Sequence, residues 1–257
     1  MQVPVPSRGD SITAFYVSET GGDSLTVTHS KDGVIQSLTD HDQHSEGSSS
    51  TVTAPAAYDR CNDYSYSSWG HSWNRSVILM LANVDHGRPA NISASDMSIV
   101  VDQAAARTTA GANSCGIGTS QGRMLVIDGP TSRSSNINGA TNACASAGDG
   151  RNVVDFGNLS GTTLALTCSR SSGGIAIESD VRFDNTSRTW VTSANGCTSG
   201  FDLHSLASHE FGHVFGMGHA TERDLKGDLM MSPNFLQCDT SARLMGLGDV
   251  TSWNYKK

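Results

Sequence analysis

The segment His209-Glu210-Phe211-Gly212-His213-Val214-Phe215-Gly216-Met217-Gly218-His219 concentrates more reactive chemistry than any other part of the chain. His209 and His213 stand four residues apart, so a helix would put both imidazoles on one face, one turn apart. That spacing lets both rings reach one metal ion. Glu210 follows the first histidine and would point beside the metal, where it can act on water without ligating. His219 cannot share the face of a continuing helix, so the chain must reverse. Gly216 supplies the reversal, because glycine takes positive φ without a Cβ penalty, and Gly218 adds freedom. Three neutral imidazoles on a tetrahedral Zn²⁺ leave one corner for water, as in a catalytic site and unlike a closed structural one. The chemistry implied is hydrolysis by a zinc-activated water, with Glu210 as general base and the metal polarising the carbonyl. The isolated His29, His71, His86 and His204 read as surface or hydrogen-bonded side chains.

These residues need a scaffold, and the pattern along the chain predicts one. Phe201 to Phe215 reads as the helix carrying the first two histidines, and Ser241 to Trp253 as a weaker final helix. Ser93 to Thr109 reads as an amphipathic helix, with Met97, Val100, Val101, Ala104 and Ala105 at helical spacing and a Ser93/Asp96 capping box. Ser76 to Ala82, Arg123 to Asp128, Thr162 to Thr167 and Ile175 to Phe183 read as strands. The Gly/Ser/Asn-rich stretch between the second and third of these, up to Gly161, reads as an insertion loop pinned by Cys144. Strand, helix, several strands, then two helices imply an α/β layered domain.

Residues 1–57 read differently. Short strand-like runs at Ser11 to Ser18, Leu25 to Thr28 and Val34 to Leu38 lead into a polar, linker-like stretch from Thr39 to Ser50. This part is either a pro-segment or an N-terminal extension, and residues 58–257 form the catalytic domain.

Composition narrows the class further. The formal net charge is −8 and no Lys/Arg cluster stands out, so no nucleic acid partner is expected. No apolar run is long enough to span a membrane. Six cysteines, with no C-x-x-C pair, fit three disulfides and a secreted, extracellular protein. Pairing Cys61–Cys115, Cys144–Cys168 and Cys197–Cys238 would close three local units. Met1 to Pro6 lacks the basic and apolar regions of a signal peptide, so a signal would have been removed. A monomer is expected.

The His209–His219 segment resembles the metzincin zinc signature H-E-x-x-H-x-x-G-x-x-H at every fixed position. Leu229-Met230-Met231-Ser232-Pro233 resembles the Met-turn, with Met231 aligned to its methionine and Met230 as the alternative register. The resemblance is to matrixin-like metzincins of the secreted bacterial type and covers roughly residues 58–257. It implies a zincin α/β (α+β) fold: a twisted, mostly parallel sheet with an antiparallel edge strand, an active-site helix and a C-terminal helix. Ile177 to Asp184 resembles the edge strand. It further implies a zinc-dependent endopeptidase acting on protein or peptide substrates. A peptide would bind extended along Gly174, Ile175, Ala176 and Ile177, with an S1′ pocket between the active-site helix and the segment after Met231. Departures from the pattern matter. Val181 and Arg182 stand where matrixins place a structural-zinc histidine, so a second zinc is not expected. Asp180 and Asp184 are candidates for Ca²⁺. No cysteine precedes Cys61, so a latency cysteine is absent from residues 1–57, and Asp10, Asp40, His41, Asp42 and His44 are the candidates for that role. The alternative function is a catalytically inactive, zinc-binding secreted adhesin or pseudoprotease.

Overall fold

The computed structural model describes residues 1–19, 21–41, 59–120, 122–186, 188–220 and 228–256. Eight strands form one sheet: β1 (Asp10–Ser18), β2 (Gly21–His29), β3 (Ile35–His41), β4 (Val77–Ala82), β5 (Met124–Pro130), β6 (Val153–Gly157), β7 (Thr163–Ser172) and β8 (Ile175–Asp184). Their order is β3-β2-β1-β7-β8-β6-β4-β5. The strands β8, β6, β4 and β5 run parallel to their neighbours, and β7 pairs antiparallel with β8. That five-stranded part is the mostly parallel sheet with an antiparallel border strand that the resemblance implies. The border strand is β7, however, one strand earlier than the Ile177 to Asp184 run. β8 is enclosed between β7 and β6 and could not serve as an edge.

Beyond β7 the sheet continues. β1 pairs antiparallel with β7 from Asp10↔Ser172 to Val17↔Ala165, and β2 and β3 follow as antiparallel neighbours. The N-terminal strands are therefore part of the same sheet as the C-terminal strands.

Among the described residues, three α-helices complete the fold: α1 (Ala94–Ala110), α2 (Leu203–Phe215) and α3 (Leu247–Lys256). α1 starts at a capping box in which Ser93 accepts from the Asp96 N–H and Asp96 reaches back to the Ser93 N–H. Its buried residues Met97, Val100, Val101, Ala104 and Ala105 join Ile78 and Met80 of β4, Val154 and Phe156 of β6, and Leu206 and Phe211 of α2 in the main core. On β4 the alternation is plain: Ile78, Met80 and Ala82 are buried while Leu79 is 49% exposed. Helices thus cover one face of this part of the sheet.

Two local readings differ from expectation. The stretch expected as an insertion loop contains β6, a central parallel strand. Val153, Val154, Asp155 and Phe156 are all buried, so the run shows no alternation that would mark it as a strand. The final helix is split: a 3₁₀ turn at Ser241–Arg243 precedes α3. Gly246 sits at the break, where a Cβ would lie 2.4 Å from Leu229 Cδ2 and 3.0 Å from the Arg60 carbonyl. The disulfides are Cys61–Cys115, Cys144–Cys168 and Cys197–Cys238, as expected. Cys144 ties the long loop to β7. No helix among the described residues is long and apolar enough to cross a membrane.

Candidate metal centre

α2 is buried along its whole length, which suits a helix carrying ligands in an interior. Its N-cap Asp202 accepts from the Ser205 N–H and also pairs with Arg243, whose Nε donates at 2.8 Å. The helix ends at Gly216, in the left-handed region with φ 92°, and the Gly216 N–H donates back to Gly212 and His213. A Cβ there would come within 2.7 Å of the His71 carbonyl, so both the φ and the space call for glycine. The reversed chain, Met217–Gly218, pairs with Ser67–Ser68 and delivers His219 to the other two histidines.

The three imidazoles converge. His213 Nε2 lies 2.9 Å from His209 Nε2 and 3.1 Å from His219 Nε2. His209 Nδ1–H donates to the Met230 carbonyl at 2.8 Å, and His213 Nδ1–H to the Met217 carbonyl at 2.9 Å. These bonds assign the tautomers and leave the Nε2 atoms of both rings unprotonated. Two imidazole lone pairs facing each other at 2.9 Å repel unless a cation lies between them, so this donor set fits a metal ion. Burial, and then His219, holds His209 far below the usual histidine range; burial, and then His209, does the same to His213. Both stay in the neutral, ligating form. Among the described residues this triad is the only group of three or more His, Cys, Asp or Glu side chains close enough to share a metal.

Glu210 is fully buried beside them. Its Oε2 accepts from Thr167 Oγ1 of β7 at 2.5 Å, and its Oε1 has no hydrogen-bond partner. Burial pushes the carboxyl up to about 8, and the Thr167 hydroxyl pulls the other way. The turn below the helix is anchored by Asp249 of α3. Its carboxylate accepts from the Met230 N–H at 2.7 Å, the Met231 N–H at 3.0 Å and the Gly246 N–H at 2.8 Å. Of the two methionines, Met231 packs more tightly on α2: a Cβ on Gly212 would lie 2.2 Å from Met231 Sδ and 3.3 Å from Met230 Cε. Just past the turn, Phe235 meets the His209 ring edge to face at 5.1 Å.

Other expected site residues fall elsewhere. Gly174 lies in the turn before β8, and Ile175, Ala176 and Ile177 open the strand, with Ile175 and Ala176 paired to Ser172 and Ser171 of β7 and Ile175 bridged to Ser72. The strand whose side chain reaches Glu210 is β7. Asp180 accepts from the Val153 N–H, and Asp184 from the Leu159 N–H and the Thr186 hydroxyl. Burial, and then Glu178, raises Asp180 to about 8, which weakens it as a ligand for a hard cation. The calcium reading gains no support from this arrangement. Arg182 is paired with Asp155 at 2.7 Å. Asp42 and His44 lie outside the described residues, as do the side chains of Asp40 and His41. Asp10 is not part of the triad's cluster. Thr167, Asp249 and Phe235 have no local signature that marks them as site residues. Each meets the centre across a long sequence separation.

A buried helix with two histidines, a glycine reversal to a third and a methionine-bearing turn packed on the helix bring together, in a mixed α/β fold, a triad able to hold a metal ion. Residues 149–247 match the matrixin family, so this part of the chain is similar to matrixins. A stretch of 77 residues is 30% identical to matrix metalloproteinase-27 of Tupaia belangeri; it covers 30% of this chain and 13% of that protein. The match thus spans only a small part of that relative's length. At the level of the family these findings support a zinc metalloendopeptidase.

Proposed function

We propose that the chain is a zinc-dependent endopeptidase, with zinc held by His209, His213 and His219 and Glu210 as general base. The observation that carries the reading is the convergence of three Nε2 atoms beside a buried carboxylate that has one unengaged oxygen. When bound, zinc would supply a Lewis acid for the scissile carbonyl and would raise the acidity of water. Glu210 accepts the proton of the attacking water and hands it to the leaving amine. Thr167 holds one carboxylate oxygen, which directs the other toward the reacting water.

An extended peptide docks by adding a strand, and the strand next to Glu210 that would offer an edge once β1 is displaced is β7. The peptide-binding role expected of Gly174 to Ile177 therefore passes, in this proposal, to the outer edge of β7. The segment after Met231, through Asn234 and Phe235, forms one wall of the pocket beyond the scissile bond. Three disulfides fit a secreted location. The test is hydrolysis of casein and of a quenched fluorescent peptide, with and without a chelator and after zinc is restored. Cleavage that survives complete zinc removal would refute the reading. Bound zinc with no cleavage, even after the N-terminal strands are displaced, would return the inactive adhesin or pseudoprotease.

A further inference from the structure

The edge that a peptide needs is already filled by the chain itself. β1 runs along β7 in unbroken antiparallel register, with Phe15 opposite Thr167, the residue that holds Glu210. At its far end Ser18 makes a parallel bridge to Asn234, so the strand passes from the β7 side of the centre to the wall beyond the methionine turn. The alternation of β1 divides its side chains. Ile12 and Ala14 pack with Ile137, Leu159 and the Cys144–Cys168 disulfide on one face. Phe15 and Val17 turn to the other, and there Phe15 stacks on His213 with ring centroids 4.2 Å apart and planes 9° apart. The same ring meets Trp69 edge to face at 5.3 Å. β2 closes the remaining side: a Cβ on Gly22 would lie 2.7 Å from His219 Cε1 and 3.0 Å from Pro233 Cβ. His209 and His213 are 0% exposed and His219 is 5% exposed.

A metal centre that must admit a peptide bond cannot work while covered in this way. We propose that the β1–β2 hairpin is an internal inhibitory segment that binds as a substrate strand binds, and that its displacement opens the centre. This rests on the reading of the triad as the working metal site. The device differs from latency by metal ligation. The segment contributes backbone hydrogen bonds and a hydrocarbon ring, and among the described residues none of its acids joins the histidine cluster. The closed chain therefore keeps all three zinc ligands and should hold zinc without turning over. Phe15 also marks the subsite that a displacing peptide must fill, a shelf of Trp69 and His213 that takes a large apolar or aromatic side chain.

The experiment uses the full chain with a specific protease site inserted in the polar stretch after Ser48. It compares intact protein, cut protein at nanomolar concentration, and the intact variant Thr13→Pro. Proline in a strand paired on both sides breaks the ladder, and cutting turns an intramolecular docking into a bimolecular one that dilution reverses. The readouts are zinc content, affinity for a small hydroxamate that binds zinc, the spectral response of the Co²⁺-substituted protein to that hydroxamate, and peptide hydrolysis. We expect equal zinc in all three and hydroxamate binding about 100-fold weaker in the intact chain, as for a site open only about 1% of the time. Thr13→Pro should fall between the intact and cut proteins. Equal hydroxamate affinity in intact and cut protein overturns the proposal. So does loss of zinc on freeing the hairpin, which would make it part of the metal-holding scaffold. Stronger hydroxamate binding without any peptide hydrolysis leaves the proposal standing and defeats the endopeptidase reading instead.

Discussion

Met231 packs against Gly212 so closely that a methyl group on the glycine would lie 2.2 Å from the methionine Sδ. Gly212 sits between the two helical histidines, so this contact sets how near the turn can approach the ligand-bearing helix. Gly212→Ala should therefore push the turn away, costing about 1–3 kcal/mol through overpacking. It should also weaken zinc binding, because Met230 carries the carbonyl that orients His209. Urea unfolding and competitive zinc titration check both effects. Unchanged values in the two assays would show that the close approach constrains nothing.

Asp249 should matter as much to the turn as any ligand. Asp249→Ala would leave the amides of Met230, Met231 and Gly246 buried without an acceptor. At about 1–3 kcal/mol for each stranded group, a loss of roughly 3 kcal/mol or more is expected. Denaturant unfolding measures it, and a loss below about 1 kcal/mol would contradict the anchoring role.

Glu210→Gln should separate metal binding from chemistry. The variant is expected to keep its zinc and to lose about 10²- to 10⁴-fold in kcat, the usual contribution of a general base. His219→Ala should do the reverse and lose zinc. Kinetics on opened enzyme and elemental analysis give the answer; near-normal cleavage by the glutamine variant would remove Glu210 from the mechanism.

His71 should make stability pH-dependent. It lies buried near Lys256, and burial, with the lysine second, lowers its pKa from 6.5 to about 4. Between these values the unfolded chain binds a proton that the folded chain refuses, so stability falls as pH drops from 6.5 towards 4. Above that window His71 contributes no slope. The loss below it is on the order of 3 kcal/mol. His71→Gln should remove this part of the acid sensitivity, read as the difference between wild-type and variant unfolding curves across the window. Parallel curves would show that His71 is not held neutral.

The candidate metal-binding pattern was legible along the chain because most of its geometry is local. A four-residue spacing on a helix puts two rings on one face, and a glycine lets the chain turn back toward them, where pairing of Met217–Gly218 with Ser67–Ser68 delivers the third. The capping box of α1 was legible for the same reason: it is a relationship within one element. β6 was hidden because a strand buried on both faces loses the two-residue rhythm, and its flanking Gly and Asn residues looked like loop. The border strand was misplaced by one because nothing in Ile177 to Asp184 tells how many neighbours it has. Phe15 over His213, Thr167 on Glu210 and Asp249 under Met231 join positions 198, 43 and 18 residues apart. No spacing rule connects such partners; only the packing of sheet edge, helix and turn into one volume brings them together. The linear chain thus specified what chemistry is available, while three-dimensional pairing specified who covers it.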